Sequence, residues 1–228
     1  MADELLVFAP LRIEAAMLPK HDGWTVLRSG MGPERARIAA ARGLAVEAPA
    51  VAVVGLCAAV SPDLRAGDLV CATALRRADA LTVAAPGSAL VAAALRRRGL
   101  RSHVGPILSV GHVTAAAERR AFSIHGVLAV DMESAWLAEA ADGRPLAVIR
   151  VVVETAEHDL RDPRTITAGV RALRNLRRAA AALVDWTQEV GATPSARTTS
   201  RGARAPGHTC STMSGTSMQY RLWREVRT

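Results

Sequence analysis

Ala50-Val51-Ala52-Val53-Val54-Gly55 is an apolar run of strand length in which no polar residue alternates with the apolar ones. A strand with one face in water shows a period of two. A run without that period is covered on both faces, as in a sheet held between helices. Comparable runs lie at residues 5–9, 25–28, 68–73, 105–110, 128–132 and 147–154. Segments of helical period stand between them at 34–47, 88–98, 134–141 and 165–187. Strands alternating with helices predict an α/β protein built of βαβ units around a central sheet. Pro33 and Glu34 suit the first turn of the helix at 34–47, where a missing N–H costs nothing and an acid meets the positive end of the dipole.

The chain has 228 residues, is 50% hydrophobic and only 3% aromatic, so Ala, Val, Leu and Ile must form its core. The net charge of +8 points first to nucleic acid. Its distribution argues otherwise. Residues 191–228 hold six arginines against Glu225 alone, a net of +5 that leaves +3 to residues 1–190. That tail is rich in Gly, Ser, Thr, Pro and Arg and has no period, so a domain at 1–190 and a disordered basic tail at 191–228 are expected. The arginines at 171, 174, 177 and 178 read as the solvated face of the last helix. A nucleic-acid partner is therefore not expected of the body.

A membrane span needs about 20 mostly apolar residues, and the longest charge-free stretch, residues 80–95, contains Pro86, Gly87 and Ser88. No basic segment ahead of an apolar run opens the chain, so neither a membrane span nor a signal peptide is expected. Cys57, Cys71 and Cys210 have no metal-site or CxxC spacing. Cys57 and Cys71 lie in apolar runs as buried thiols, which fits a reducing cytoplasm. Ser29-Gly30-Met31-Gly32-Pro33 matches only part of a dinucleotide fingerprint. No metal and no cofactor is expected.

Three acids follow strand ends. In Ala129-Val130-Asp131-Met132-Glu133-Ser134 an apolar strand runs straight into acids and a helix start. Ligands of open α/β sheets bind at the carboxyl ends of strands, and a carboxylate there can accept both hydroxyls of a vicinal diol. Met132 offers a polarisable wall beside it. The alternative is that Asp131 and Glu133 serve only the helix N-terminus. Glu154 closes the run Val151-Val152-Val153, where desolvation would raise its pKa toward that of a general acid; a plain exposed strand-end acid is the other reading. Glu14 follows the first strand and either approaches the same cleft or starts a helix beside Arg12.

Taken in order, these segments resemble the purine nucleoside phosphorylase and nucleosidase superfamily over about residues 4–188. The matching segments are Glu14, Ser29-Gly30-Met31-Gly32, the turn from Gly55 to Pro62 with Gly67-Asp68-Leu69-Val70, Val130-Asp131-Met132-Glu133, and Arg150 to Ala156. Within it, Thr155-Ala156-Glu157-His158-Asp159-Leu160 and the long last helix look most like the hopanoid-associated branch of actinobacteria.

The resemblance implies a three-layer α/β/α fold with a mixed, partly barrel-like sheet and a homo-oligomer. It implies that Glu14 positions water, Glu154 protonates the leaving base, and Glu133 with Met132 holds the ribose. Asp131, Gly55 and Val113 join them as substrate-binding positions. Three departures stand out: Glu154 where the family has Asp, Ala58-Ala59 in place of paired glycines, and Val53 and Leu56 where phosphorolytic relatives carry Arg and Ser. The last favours water over phosphate.

The expected function is hydrolysis of the N-glycosidic bond of an adenosyl compound. The branch resemblance points to adenosylhopane, a lipid-linked nucleoside. The alternatives are methylthioadenosine, S-adenosylhomocysteine or futalosine as substrate, a phosphate-dependent phosphorylase, or an inactive nucleoside-binding paralogue.

Overall fold

Successive side chains of a strand point to opposite faces, and where both faces are apolar, as at Leu5–Phe8 and Val51–Ala59, one strand contributes to two cores. In the computed structural model, which describes residues 4–155 and 164–192 apart from Ala78 and Ala80, the first half runs β1 (Leu5–Phe8), α1 (Arg12–Ala15), β2 (Trp24–Leu27), α2 (Pro33–Leu44), β3 (Val51–Ala59), β4 (Leu69–Arg77), β5 (Thr82–Ala84) and α3 (Ser88–Arg97). The second half runs β6 (Ser102–Ser109), α4 (Ala116–Ala121), β7 (Ala129–Asp131), α5 (Ser134–Leu137), β8 (Leu146–Glu154) and α6 (Arg164–Ala192). Leu6, Phe8, Val51 and Val53 pack with α2 and α5 through Ala36, Ala40 and Leu137. Leu5, Val7, Ala52 and Val54 pack on the opposite face with Val91 and Leu95 of α3 and Leu176, Leu183 and Trp186 of α6. The result is the expected three-layer α/β/α fold with a mixed central sheet.

The strand order is β2-β1-β3-β7-β6-β4-β5, and β8 pairs with both β3 and β4. β8 runs parallel to β3 and antiparallel to β4, so β3, β7, β6, β4 and β8 close into a ring. β1 and β2 continue from β3 in parallel, and β5 folds back antiparallel on β4. In the ring β3 and β4 extend past the apolar runs that mark them, while β7 is shorter than its run. β3 reaches Ala59 rather than residue 55 because its last residues pair with β7, and β4 reaches Arg77 because it pairs with β5 and β6.

The segment expected to be one helix at 134–141 is a turn of α-helix followed by a 3-10 turn, Ala138–Ala141. The elements not anticipated, α1, α4 and β5, are all of six residues or fewer, too short for a period to be read.

α6 buries Ala172, Leu176, Ala179, Leu183 and Trp186, while Arg171, Arg174, Arg177 and Arg178 are exposed, the arrangement of an amphipathic surface helix. Cys57 and Cys71 are buried free thiols, and burial pushes Cys71 up to about 12. No described helix is long and apolar enough to cross a membrane. The chain divides after Thr193 into two units; the second, Pro194–Thr228, lies outside the described residues, as do Cys210, His158, Asp159 and the tail expected at 191–228 save Gly191 and Ala192, which end α6.

Candidate active site

Arg150 sits in the middle of β8 with its side chain fully buried. A guanidinium cannot be left alone in an apolar interior, and the chain surrounds it with carboxylates. Its Nε is 2.8 Å from Asp131 Oδ2 and donates to Ser134 Oγ at 2.8 Å, and its Nη2 is 3.6 Å from Glu133 Oε2. Burial works against the charge on Arg150, yet Asp131, Glu133 and Glu14 outweigh it and hold its pKa above the ordinary value.

Gly55 explains how Glu14 comes so near. A Cβ there would fall on the Arg150 guanidinium and within 2.8 Å of Glu14 Oε1, so the absent side chain is what lets the two meet. Gly55 therefore makes room beneath the site and does not itself line the pocket.

Glu14 stands in the short α1 just past β1. Its carboxylate accepts the Leu11 N–H at 2.6 Å, the reach-back bond of a helix start, and the Leu56 N–H of β3 at 2.8 Å. It stands at a helix start and lines the cleft, with the amides of Leu11 and Leu56 as its hydrogen-bond donors where a pairing with Arg12 was the alternative. Burial raises its pKa, with Arg150 and the two amide hydrogen bonds opposing.

Glu133, at the start of α5, accepts the Gly32 N–H at Oε1, 3.0 Å away. Gly32 has φ +97, a conformation costly for any other residue, and it immediately precedes Pro33 at the first turn of α2. The glycine turn that resembles part of a dinucleotide fingerprint thus serves to anchor a carboxylate. Burial pushes Glu133 up to about 7, with Arg150 opposing and Asp131 adding to the rise.

Asp131 is spent inward. Its Oδ1 accepts Ser109 Oγ at 2.6 Å and the amides of Glu133 and Ser134 at 3.3 and 3.2 Å, while Oδ2 faces Arg150. It lines the pocket but orients its neighbours, much as the helix-terminus alternative supposes.

These groups form one end of a cavity of about 190 Å³ that also includes Leu56, Cys57, Ala58, Val110, Met132, Val153 and Glu154. Met31, His112 and Val113 line it too, each with its side chain exposed. Met132 is half-buried beside Glu133. His112 Nε2 lies 2.7 Å from Glu118 Oε1. Val53 is buried in the core and Leu56 presents an apolar wall, so neither position offers a group to an anion.

Glu154 is buried at the end of β8, as its three preceding valines imply, but its surroundings are not simply apolar. Arg119 of α4, 1% exposed, places Nη1 3.0 Å from Glu154 Oε2. A guanidinium at that distance favours the carboxylate, which opposes the effect of desolvation alone. The expectation based on desolvation omitted this partner because a charged run in a short helix carries no sign of burial. Arg150 was more legible: an arginine inside Val148-Ile149-Arg150-Val151-Val152 must be paired to be tolerated.

The fold and the carboxylate-rich pocket at the strand ends define an α/β/α protein with a small-molecule site. Residues 12–187 match the phosphorylase superfamily, and the chain belongs to it. No curated protein matches the chain. Among solved structures, a Campylobacter jejuni 5'-methylthioadenosine/S-adenosylhomocysteine nucleosidase is 14% identical, with 82% of this chain and 100% of that one covered and a TM-score of 0.69. A mutant futalosine hydrolase of Helicobacter pylori is 17% identical over 81% and 99% of the two chains, with a TM-score of 0.69. An H. pylori methylthioadenosine nucleosidase mutant holding 5'-methylthioadenosine is 19% identical over 83% and 100%, with a TM-score of 0.68. At these identities the likeness is one of fold.

The hopanoid-associated branch expected from the sequence is corrected here. The matches place the chain in the superfamily and beside methylthioadenosine and futalosine enzymes, so the hopanoid assignment and adenosylhopane as its substrate are withdrawn. Thr155-Ala156-Glu157-His158-Asp159-Leu160, which suggested that branch, is a short stretch that falls almost wholly outside the described residues.

Proposed function

We propose that this protein is a nucleosidase that hydrolyses the N-glycosidic bond of an adenosyl nucleoside, with substrates of the methylthioadenosine, S-adenosylhomocysteine or futalosine kind. One observation carries the choice of water over phosphate. The pocket is lined by Glu14, Asp131, Glu133 and Glu154, while the two guanidinium groups beside them, Arg150 and Arg119, stand outside its lining and are already engaged with these carboxylates. An anionic nucleophile would enter a site whose lining is acidic and whose cations are taken, whereas water can be both held and deprotonated there.

In this reading water attacks the anomeric carbon as the carbon–nitrogen bond breaks and its electron pair passes to the base. Glu14, whose raised pKa makes it a better proton acceptor than an exposed carboxylate, takes the proton from water. Glu154 gives a proton to the departing base. Glu133 accepts the ribose hydroxyls, Met132 packs beneath the sugar, and the carboxylates stabilise its developing positive charge. Asp131 and Gly55 hold the geometry, and Val113 flanks the pocket mouth. The buried free thiols Cys57 and Cys71 support a reducing, cytoplasmic setting.

The test is release of the free purine base by the purified chain from methylthioadenosine, S-adenosylhomocysteine and futalosine, each with and without phosphate. Release from at least one without phosphate is expected. Release only with phosphate would make it a phosphorylase, and binding without release would make it a non-catalytic nucleoside-binding protein.

A further inference from the structure

Arg119 is a buried guanidinium for which the proposed mechanism has no place, and it is the partner of the proposed acid. It is 1% exposed, and its charge is directed to three oxygens. Nη1 donates to the Thr114 carbonyl at 2.6 Å and to Glu154 Oε2 at 3.0 Å, and Nη2 donates to the Thr155 carbonyl at 3.1 Å. Thr114 belongs to the loop after β6 that lines the pocket, while Glu154 ends β8 and Thr155 follows it. A single side chain thus joins two walls of the cavity at the carboxylate between them.

We propose that Arg119 is a positioning residue that acts through Glu154: it fixes the carboxyl against the pocket and stabilises the carboxylate left when the proton passes to the leaving base. This role rests on the nucleosidase reading above. Glutamate has one more rotatable bond than aspartate, so an unrestrained carboxyl at this position would sample several places in the pocket. Fixing one oxygen on a planar, itself immobile guanidinium removes that freedom. The transfer balances as one proton leaving Glu154 for a ring nitrogen of the base, with the new negative charge compensated by Arg119. In the protonated form of Glu154 that reacts, this charge grows as the proton leaves, so the interaction is stronger in the transition state than in that ground state and belongs in kcat. The shorter side chain in Glu154→Asp would draw the carboxyl back by about one bond length, away from Arg119, the base or both.

The experiment is a double-mutant cycle on purine-base release from methylthioadenosine, or from whichever of the three nucleosides the wild-type chain turns over. It uses the full chain as wild type, Arg119→Met, Arg119→Lys, Glu154→Gln and Arg119→Met with Glu154→Gln, and measures kcat and KM separately. Arg119→Met is expected to lower kcat about 100-fold, with KM changed by only a few-fold. Arg119→Lys, which keeps the charge without the fork, should recover part of the loss. In the Glu154→Gln background Arg119→Met should change kcat by less than about threefold, because there is no longer a carboxylate to act through.

An unchanged kcat in Arg119→Met would overturn the proposal, as would an equal loss with and without the Glu154 carboxylate, which marks a purely structural arginine. If Arg119→Met does not fold by thermal melting, the same cycle is run with Arg119→Lys, whose loss must likewise vanish in the Glu154→Gln background. A wild type that releases no purine base from any of the three removes the nucleosidase reading and this role together. An active wild type beside an unaffected Arg119→Met removes only Arg119.

Discussion

At Glu133 two demands meet in one carboxyl group. It is desolvated, which favours its neutral form, and it accepts the Gly32 N–H and faces Arg150, which favour the ion. Burial prevails, and the group titrates near 7. If the ionised form is the one that accepts the ribose hydroxyls, kcat/KM should fall as pH drops through about 7, well above the ordinary carboxyl range.

Glu133→Gln should abolish turnover; a pH–rate profile and an adenine-release assay check both. The linkage to stability has the opposite slope. A carboxyl whose pKa is raised by folding holds extra protons in the folded state, so its contribution is fully present below the unfolded pKa and is lost as pH rises through the folded one. Urea unfolding at pH 5 and pH 8 should therefore show a smaller difference in stability for Glu133→Gln than for the wild type.

At the scale of elements, β3 decides where the site can be. Its unbroken apolar run feeds two cores, and at Gly55 it yields space to side chains from α1 and β8. Gly55→Ala would drive a methyl into Glu14 and Arg150, both already held by hydrogen bonds, so neither can simply swing away. The expected cost is about 1–3 kcal/mol in urea unfolding. A displacement of Glu14 of the order of 1 Å would add roughly a hundredfold loss in kcat.

The elements themselves differ in how readable they were. The long strands and helices announce themselves by period, whereas α1 and α4, which deliver Glu14 and Arg119, are too short to have one. Glu14 could still be singled out because it follows a strong strand. Arg119 lies in Ala-Ala-Glu-Arg-Arg-Ala, which reads like any solvated helix surface.

Across the whole molecule, Arg150 is the charge around which the strand ends converge. Replacing it by Met leaves Glu14, Asp131 and Glu133 facing one another in a desolvated space. The expected loss of stability is about 3–5 kcal/mol, read by urea unfolding at neutral pH. The loss should shrink at low pH, where protonation relieves the repulsion.

Both the three-layer architecture and most of the carboxylates were legible beforehand, because burial on two faces and acids at strand ends are local patterns of one chain segment. The closing of β8 onto both β3 and β4 was not readable from any one segment, since hydrogen bonding between distant strands leaves no periodic trace; only the family resemblance implied a partly barrel-like sheet. For the same reason local pattern showed Asp131 and Glu133 as equals, and the folded chain separates them: one spends its oxygens on Ser109, two amides and Arg150 at 2.8 Å, the other accepts one amide and stands 3.6 Å from Arg150 beside the cavity. Residue type and spacing specify which groups arrive at the strand ends. Which of them bond to each other, and so which remain to meet a substrate, depends on contacts between segments far apart in the chain.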